Sequence, residues 1–277
     1  MSEPLGGIRV VNTGINVPID VAAGRLAELG ARVTKVEPPP GDPLLAQAPE
    51  WYATATAGQE IVALDLKDDG DRARLDELLG MADVMLASNR PSALVRLGLG
   101  PDALAERFPR LVSVGLVGYP EPREDVAGHD LTYQAVHGLV APPALPRTLV
   151  ADLAAAERVV STVCALLFGR ERGDADRHRW VAIADAAETM ALPYRHGITS
   201  AGAVLGGGFA PYGLYEAREG WVALAALESH FAVRLALELG VELEHAALAE
   251  AFRARTASEW EAWADERDLP IAAVRGQ

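Results

Sequence analysis

Three residues of this chain place an ionisable group beside a turn. His129 sits in Ala127-Gly128-His129-Asp130-Leu131-Thr132-Tyr133-Gln134, and the glycine before it marks a junction of loop and helix. An imidazole titrates near neutral pH, so a histidine there suits general-base work. It suits equally a first-turn residue bonded to backbone. Asp152 follows Thr148-Leu149-Val150-Ala151 and opens a long helical stretch. Aspartate is a good helix N-cap. The positive end of the helix dipole can also hold its carboxylate ionised, ready to act as base or nucleophile. The two roles are compatible. Glu228 ends the apolar run Trp221-Val222-Ala223-Leu224-Ala225-Ala226-Leu227. It is either a functional carboxylate or the first solvated residue of the next helix.

Other positions offer binding rather than proton transfer. Arg90, in Ser88-Asn89-Arg90-Pro91, follows an expected strand. There it can meet a phosphate or lie on a plain surface. Gly206, Gly207 and Gly208 precede Phe209-Ala210-Pro211. Such a run lets backbone approach a ligand closely, or serves as a linker. Cys164, between Val163 and Ala165, reads as a small core residue. A single cysteine excludes an internal disulfide. His137, His178, His196, His230 and His245 show no metal-ligand spacing, so no metal site is expected.

The elements that must position these residues follow an alternating pattern. Short β-rich runs at 8–12, 31–36, 83–87 and 111–116 alternate with helical spacing at 17–29, 71–81 and 101–107. The run 63–67 is a further expected strand. Gly30 ends the first helix, and Glu37-Pro38-Pro39-Pro40-Gly41 closes the second strand. Such alternation predicts a mostly parallel sheet covered on both faces, with ligands at the carboxyl ends of its strands. The glycines near the first turn do not spell a dinucleotide fingerprint, so NAD binding is not supported. A long Ala-rich helix at 152–172, a strand at 180–183 and a helix at 184–192 follow. The glycine-rich stretch 197–213 reads as the domain boundary. Beyond it, strands at 214–217 and 221–225 flank a hairpin turn. Helices at 228–239 and 244–253 come next, and Thr256-Ala257-Ser258-Glu259 matches a capping box. The expectation is an α/β chain with a large Rossmann-like domain at 1–196 and a small α+β domain at 197–277.

Composition bounds the partners. The 277 residues are 50% hydrophobic and 23% charged, which suits about two globular domains. Lys plus Arg is 25 and Asp plus Glu is 39, a net charge of −14 that argues against nucleic-acid binding. No apolar run approaches the roughly 20 residues of a membrane helix, and the start lacks the pattern of a signal peptide. A cytoplasmic location is expected.

Taken together, these segments resemble the class III CoA-transferase family, which includes α-methylacyl-CoA racemase, formyl-CoA transferase and L-carnitine CoA-transferase. The resemblance rests on Leu5-Gly6-Gly7-Ile8, on Leu26-Ala27-Glu28-Leu29-Gly30-Ala31-Arg32-Val33-Thr34-Lys35-Val36-Glu37-Pro38-Pro39 and on Gly41-Asp42-Pro43. Ala63-Leu64-Asp65-Leu66-Lys67, Ala82-Asp83-Val84, Asn89-Arg90-Pro91, Arg96-Leu97-Gly98-Leu99, Gly128-His129-Asp130-Leu131, Ala151-Asp152-Leu153, Gly207-Gly208-Phe209-Ala210-Pro211 and Leu227-Glu228 match in the same order.

The resemblance implies a CoA thioester substrate and an interlocked homodimer, with no bound cofactor beyond the coenzyme A of the substrate. Asp152 matches the transferases' nucleophile and one of the racemases' two opposed bases. His129 matches the second racemase base, and Glu228 the glutamate supporting it. Having all three points to the racemase branch: α-proton abstraction and return through an enolate. Arg90, Lys67, Tyr133, Gly206, Gly207 and Gly208 are the candidate substrate- or CoA-binding residues. Three departures keep other readings open. Gly58-Gln59-Glu60-Ile61 stands where the family has Gly-Lys-Arg-Ser, Ala154-Ala155-Ala156 stands for glycines, and the second domain is expected to be short. The alternatives are a CoA-transferase with Asp152 as nucleophile, acid/base chemistry on a CoA-free substrate, and a non-catalytic member.

Overall fold

A computed structural model describes residues 3–276. The chain forms two compact units, the first running to Ala191 and the second starting at Leu192.

The first unit is built on six parallel strands. In chain order they are β1 (Arg9–Asn12), β2 (Arg32–Glu37), β3 (Glu60–Ala63), β4 (Val84–Ala87), β5 (Val112–Val117) and β6 (His178–Ala182). Their order across the sheet is β3-β2-β1-β4-β5-β6. The central strands β4 and β5 are buried along their whole length. That is what a parallel sheet covered on both faces demands, and it explains their unbroken apolar runs. Side chains alternate between faces. Val10, Val84 and Leu86 meet one core with the helix Val17–Glu28 and the long helix Val150–Glu171. Val11, Met85 and Ala87 meet the other with Leu75, Leu79, Leu94 and Leu104. Helix Val17–Glu28 buries Ile19, Ala22, Ala23 and Leu26 completely. It ends before Gly30, whose φ of 99° turns the chain back toward β2.

The strand expected at 63–67 lies earlier, at Glu60–Ala63. Its pairing with β2 ends at Glu37↔Ala63. There the Asp65 amide donates to the Asp71 carboxylate at 2.7 Å and the Lys67 amide to Asp65 at 3.0 Å, and the chain turns away.

The strand order reverses at β1, between β2 and β4, and a buried ionic cluster lies beside that switch point. Lys35, on β2, is 0% exposed. Its Nζ donates to Asp20 and, at 2.8 Å, to Asp42, with Glu37 at 3.8 Å. Asp42 also accepts the amides of Leu44 at 2.8 Å and Asn16 at 3.1 Å. Tyr52 donates to Glu37 at 2.7 Å. Burial pushes the Asp20 carboxyl up to about 7 against the pull of Lys35. Asp42 also resists burial, but the Lys35 ammonium and the Leu44 amide hold it below the usual carboxylate range.

The second unit is a three-stranded antiparallel sheet of β7 (Tyr212–Glu216), β8 (Trp221–Ala225) and β9 (Ile271–Ala273), with β8 central. Three helices, Ser229–Leu239, His245–Phe252 and Ala257–Asp265, complete it. Tyr215 stacks on Phe252 at 5.2 Å, and Phe252, Trp260 and Trp263 follow edge to face. The expected capping box is present: Thr256 Oγ1 accepts the Glu259 amide, and Glu259 accepts the Thr256 amide. The stretch 197–213, read as the domain boundary, folds on itself and falls within this unit. Leu205 donates to Ile198 and Gly208 to Ala203, and the preceding Leu192–Arg195 turn belongs to it too. This is why the units divide after Ala191 rather than after residue 196.

Replacing Lys35 with Met removes the cation and leaves its carboxylates buried. The expected cost is about 3–5 kcal/mol of unfolding free energy, read from urea titration. A loss below about 1 kcal/mol would show that the cluster does not hold this part of the fold.

Candidate functional site

His129 and Asp152 lie on two segments of the first unit that one side chain joins. His129 is exposed and immediately precedes the helix Asp130–Val136. Its amide donates to Thr132 Oγ1 at 3.1 Å, and that hydroxyl donates back to the His129 carbonyl at 2.7 Å. The next residue, Asp130, is buried. Its Oδ1 accepts the amides of Ala151 at 2.9 Å and Asp152 at 3.1 Å. Gln134 donates to the other oxygen, and to the Thr148 carbonyl at 3.2 Å.

Asp152 is therefore not the cap of its own helix. That helix begins at Val150, two residues before it, and Leu149 at the cap position offers no side-chain bond. Asp130 supplies the missing acceptor from another helix. Among the described residues no hydrogen bond or ion pair reaches the Asp152 carboxyl, which is half-buried. Burial, and next the like charge of Asp130, push it up to about 7. The dipole expectation of a firmly ionised group gives way because desolvation outweighs a helix end. Ala155 and Ala156, where the resemblance expects glycines, are fully buried and continue the helix. An open, mainly apolar groove of about 560 Å³ runs along this helix and includes Leu153, Ala154, Arg158 and Met190.

Tyr133 is not at the surface as a binding residue would be. It is 2% exposed, and a Cβ on Gly118 or Gly128 would come within 2.3 and 2.6 Å of its ring or hydroxyl. Tyr119 meets it edge to face at 5.1 Å. It shapes the loop that carries His129, and burial pushes its phenol up to about 12.

Lys67 and Arg90 are exposed at the carboxyl ends of β3 and β4. Lys67 lines a cleft of about 220 Å³ with Thr13, Glu37, Asp65 and Asn89, so this cleft lies at the switch point. Arg90 immediately follows Asn89 and precedes the helix Pro91–Arg96. The Lys35 cluster includes Glu37 of the cleft wall. A lysine inside an apolar strand, followed by Gly41-Asp42-Pro43, was the sequence signal for it.

In the second unit Glu228 is exposed and precedes the helix Ser229–Leu239. Two of the three glycines pack against backbone of their own loop. A Cβ on Gly206 would lie 1.8 Å from the Ser200 carbonyl oxygen, and one on Gly208 would lie 2.0 Å from that of Gly202. These two let the loop fold on itself, and Gly207 adopts φ 90° between them.

The raised Asp152 carboxyl has a measurable consequence for stability. Between about pH 4, where an unfolded aspartate ionises, and about pH 7, the folded chain alone keeps this proton. Folding stability therefore falls as pH rises through that window. Asp152→Asn removes the dependence, so its melting temperature relative to wild type is expected to rise from pH 4 to pH 8. A constant difference would contradict the raised carboxyl.

Known proteins bear on this arrangement. The chain is 32% identical over 208 residues to a probable fatty acyl-CoA transferase of Mycobacterium tuberculosis, covering 67% of this chain and 52% of that protein. It is 31% identical over 182 residues to human alpha-methylacyl-CoA racemase, covering 61% and 45%. The chain thus spans about half the length of these relatives. The crystal structure of the mycobacterial protein superposes with a TM-score of 0.83 at 24% identity, over 99% of this chain and 84% of that one, and supports the fold. The family model for CoA-transferase family III matches residues 5–276, so the chain belongs to CoA-transferase family III.

Proposed function

We propose that the chain acts on acyl-CoA thioesters as a racemase or epimerase, with His129 and Asp152 as its two proton-transfer groups. The observation that carries this reading is the Asp152 carboxyl. It is half-buried, without a hydrogen-bond or ion-pair partner among the described residues, and raised to about 7, on a helix start bonded to the residue after His129. A group that gives and takes a proton near neutral pH suits general acid/base work. The similarity to alpha-methylacyl-CoA racemase supports the same reading.

One group, deprotonated, takes the α-proton of the thioester and leaves an enolate. The other, protonated, returns a proton to the opposite face of that carbon. Each turnover exchanges the protonation of the two groups. The switch-point cleft takes part of the CoA moiety, with Lys67 and Arg90 near its phosphates. A homodimer, at about twice 29.3 kDa by light scattering, is part of the proposal. Glu228 belongs to the second unit and is not needed for this reading.

A second reading uses the same carboxyl as a nucleophile. Ionised Asp152 attacks the thioester carbonyl, CoA leaves as thiolate, and an acyl anhydride forms. The similarity to the mycobacterial probable transferase favours it.

Solvent deuterium separates the two. The wild-type chain is expected to exchange the α-hydrogen of a 2-methylacyl-CoA, with His129→Ala and Asp152→Ala each at least about a hundredfold slower. Movement of CoA to a free carboxylate, with a hydroxylamine-sensitive adduct on Asp152 and no α-exchange, would overturn the racemase reading. Calorimetric titration with CoA is expected to show binding that Lys67→Ala weakens about fivefold at low salt. Unchanged affinity would remove Lys67 from the site.

A further inference from the structure

We infer that Asp130 is a positioning residue for Asp152: its buried carboxylate ties the start of the Asp152 helix to the His129 segment and sets a negative charge beside the Asp152 residue. The inference deepens the proposed acid/base reading and rests on it for its functional meaning.

The geometry makes the case. Asp130 Oδ1 receives two amides of the first turn of the Val150–Glu171 helix, one of them that of Asp152 itself. The Gln134 amide group holds the other oxygen and reaches the Thr148 carbonyl, so the carboxylate is fixed from both sides. A neutral serine or asparagine would satisfy the same amides. A carboxylate does so while placing negative charge next to a half-buried acid. Burial first, and that charge next, raise the Asp152 carboxyl to about 7.

The other ionisable groups around the helix do not replace Asp130. On its own helix, Glu157 pairs with Arg25 and Arg158 donates to Thr189. On the helix Val17–Glu28, Arg25 also pairs with Glu28, and Asp20 binds Lys35. The helix Ile183–Met190 carries Asp185 and Glu188, and neither contributes to the Asp152 shift. His129 makes no contribution to it, and Tyr133 is moved by Asp152 rather than the reverse.

The test is direct titration of Asp152 by carbon-13 NMR of labelled aspartate, assigned with Asp152→Asn, in the full chain without substrate. Asp130→Asn keeps an acceptor for the two amides and removes the charge. Its expected effect is a fall of the Asp152 midpoint by at least half a pH unit with the fold retained. The deuterium-exchange pH profile is expected to move to lower pH by the same amount. Should Asp130→Asn fail to fold, Asp130→Ser supplies a smaller neutral cap for the same measurement. An Asp152 midpoint that stays in place in a folded neutral variant overturns the inference. A midpoint that falls, in a chain that exchanges no acyl-CoA, supports Asp130's action on Asp152 and defeats the racemase reading instead.

Discussion

The Lys35 ammonium stands out of reach of water, and three segments are arranged around it. β2 carries it, the first helix presents Asp20, the loop after β2 presents Asp42, and Glu37 stands 3.8 Å away at the end of the same strand. Asp42 in turn holds the Asn16 amide, where the backbone adopts φ 78° at the mouth of the first helix. A buried ion set of this kind gives little net stability, because desolvation offsets most of the attraction. What it gives is position. The loops after β1 and β2 cannot shift without stranding a charge, so the crevice at the sheet's switch point keeps its shape.

The same logic operates at Asp152 with the sign reversed. Asp42 is a buried carboxylate held ionised by a cation and an amide, below its usual range. Asp152 is a half-buried carboxyl that burial, and next the charge of Asp130, push up. Environment alone makes one aspartate structural and the other suited to moving a proton.

The second unit solves a different problem. Its sheet is too small to bury a core by strands alone, so Tyr215, Phe252, Trp260 and Trp263 fill it in a chain of ring contacts. Its glycines serve the loop that enters the sheet. Gly206 and Gly208 stand against the carbonyls of Ser200 and Gly202 with no room for a side chain.

Much of this was written in local sequence. The alternation of apolar runs with helical spacing predicts the parallel sheet, because each strand must bury both faces and each helix one. His129, Asp152, Lys67 and Arg90 were candidates from turn residues and from resemblance. Local spacing could not reveal β9, since three residues become a strand only when β8 lies beside them. Nor could it place the strand at 60–63, which pairing with β2 sets. Tyr133 looked available for binding until Gly118 and Gly128 closed over it. Asp130 carried no signal as a partner, because its bonds join a segment 21 residues away. The sequence by itself determined which elements form and which groups can ionise. Only the tertiary structure decided which of those groups lose water and gain a neighbour, and a carboxyl's chemistry depends on that.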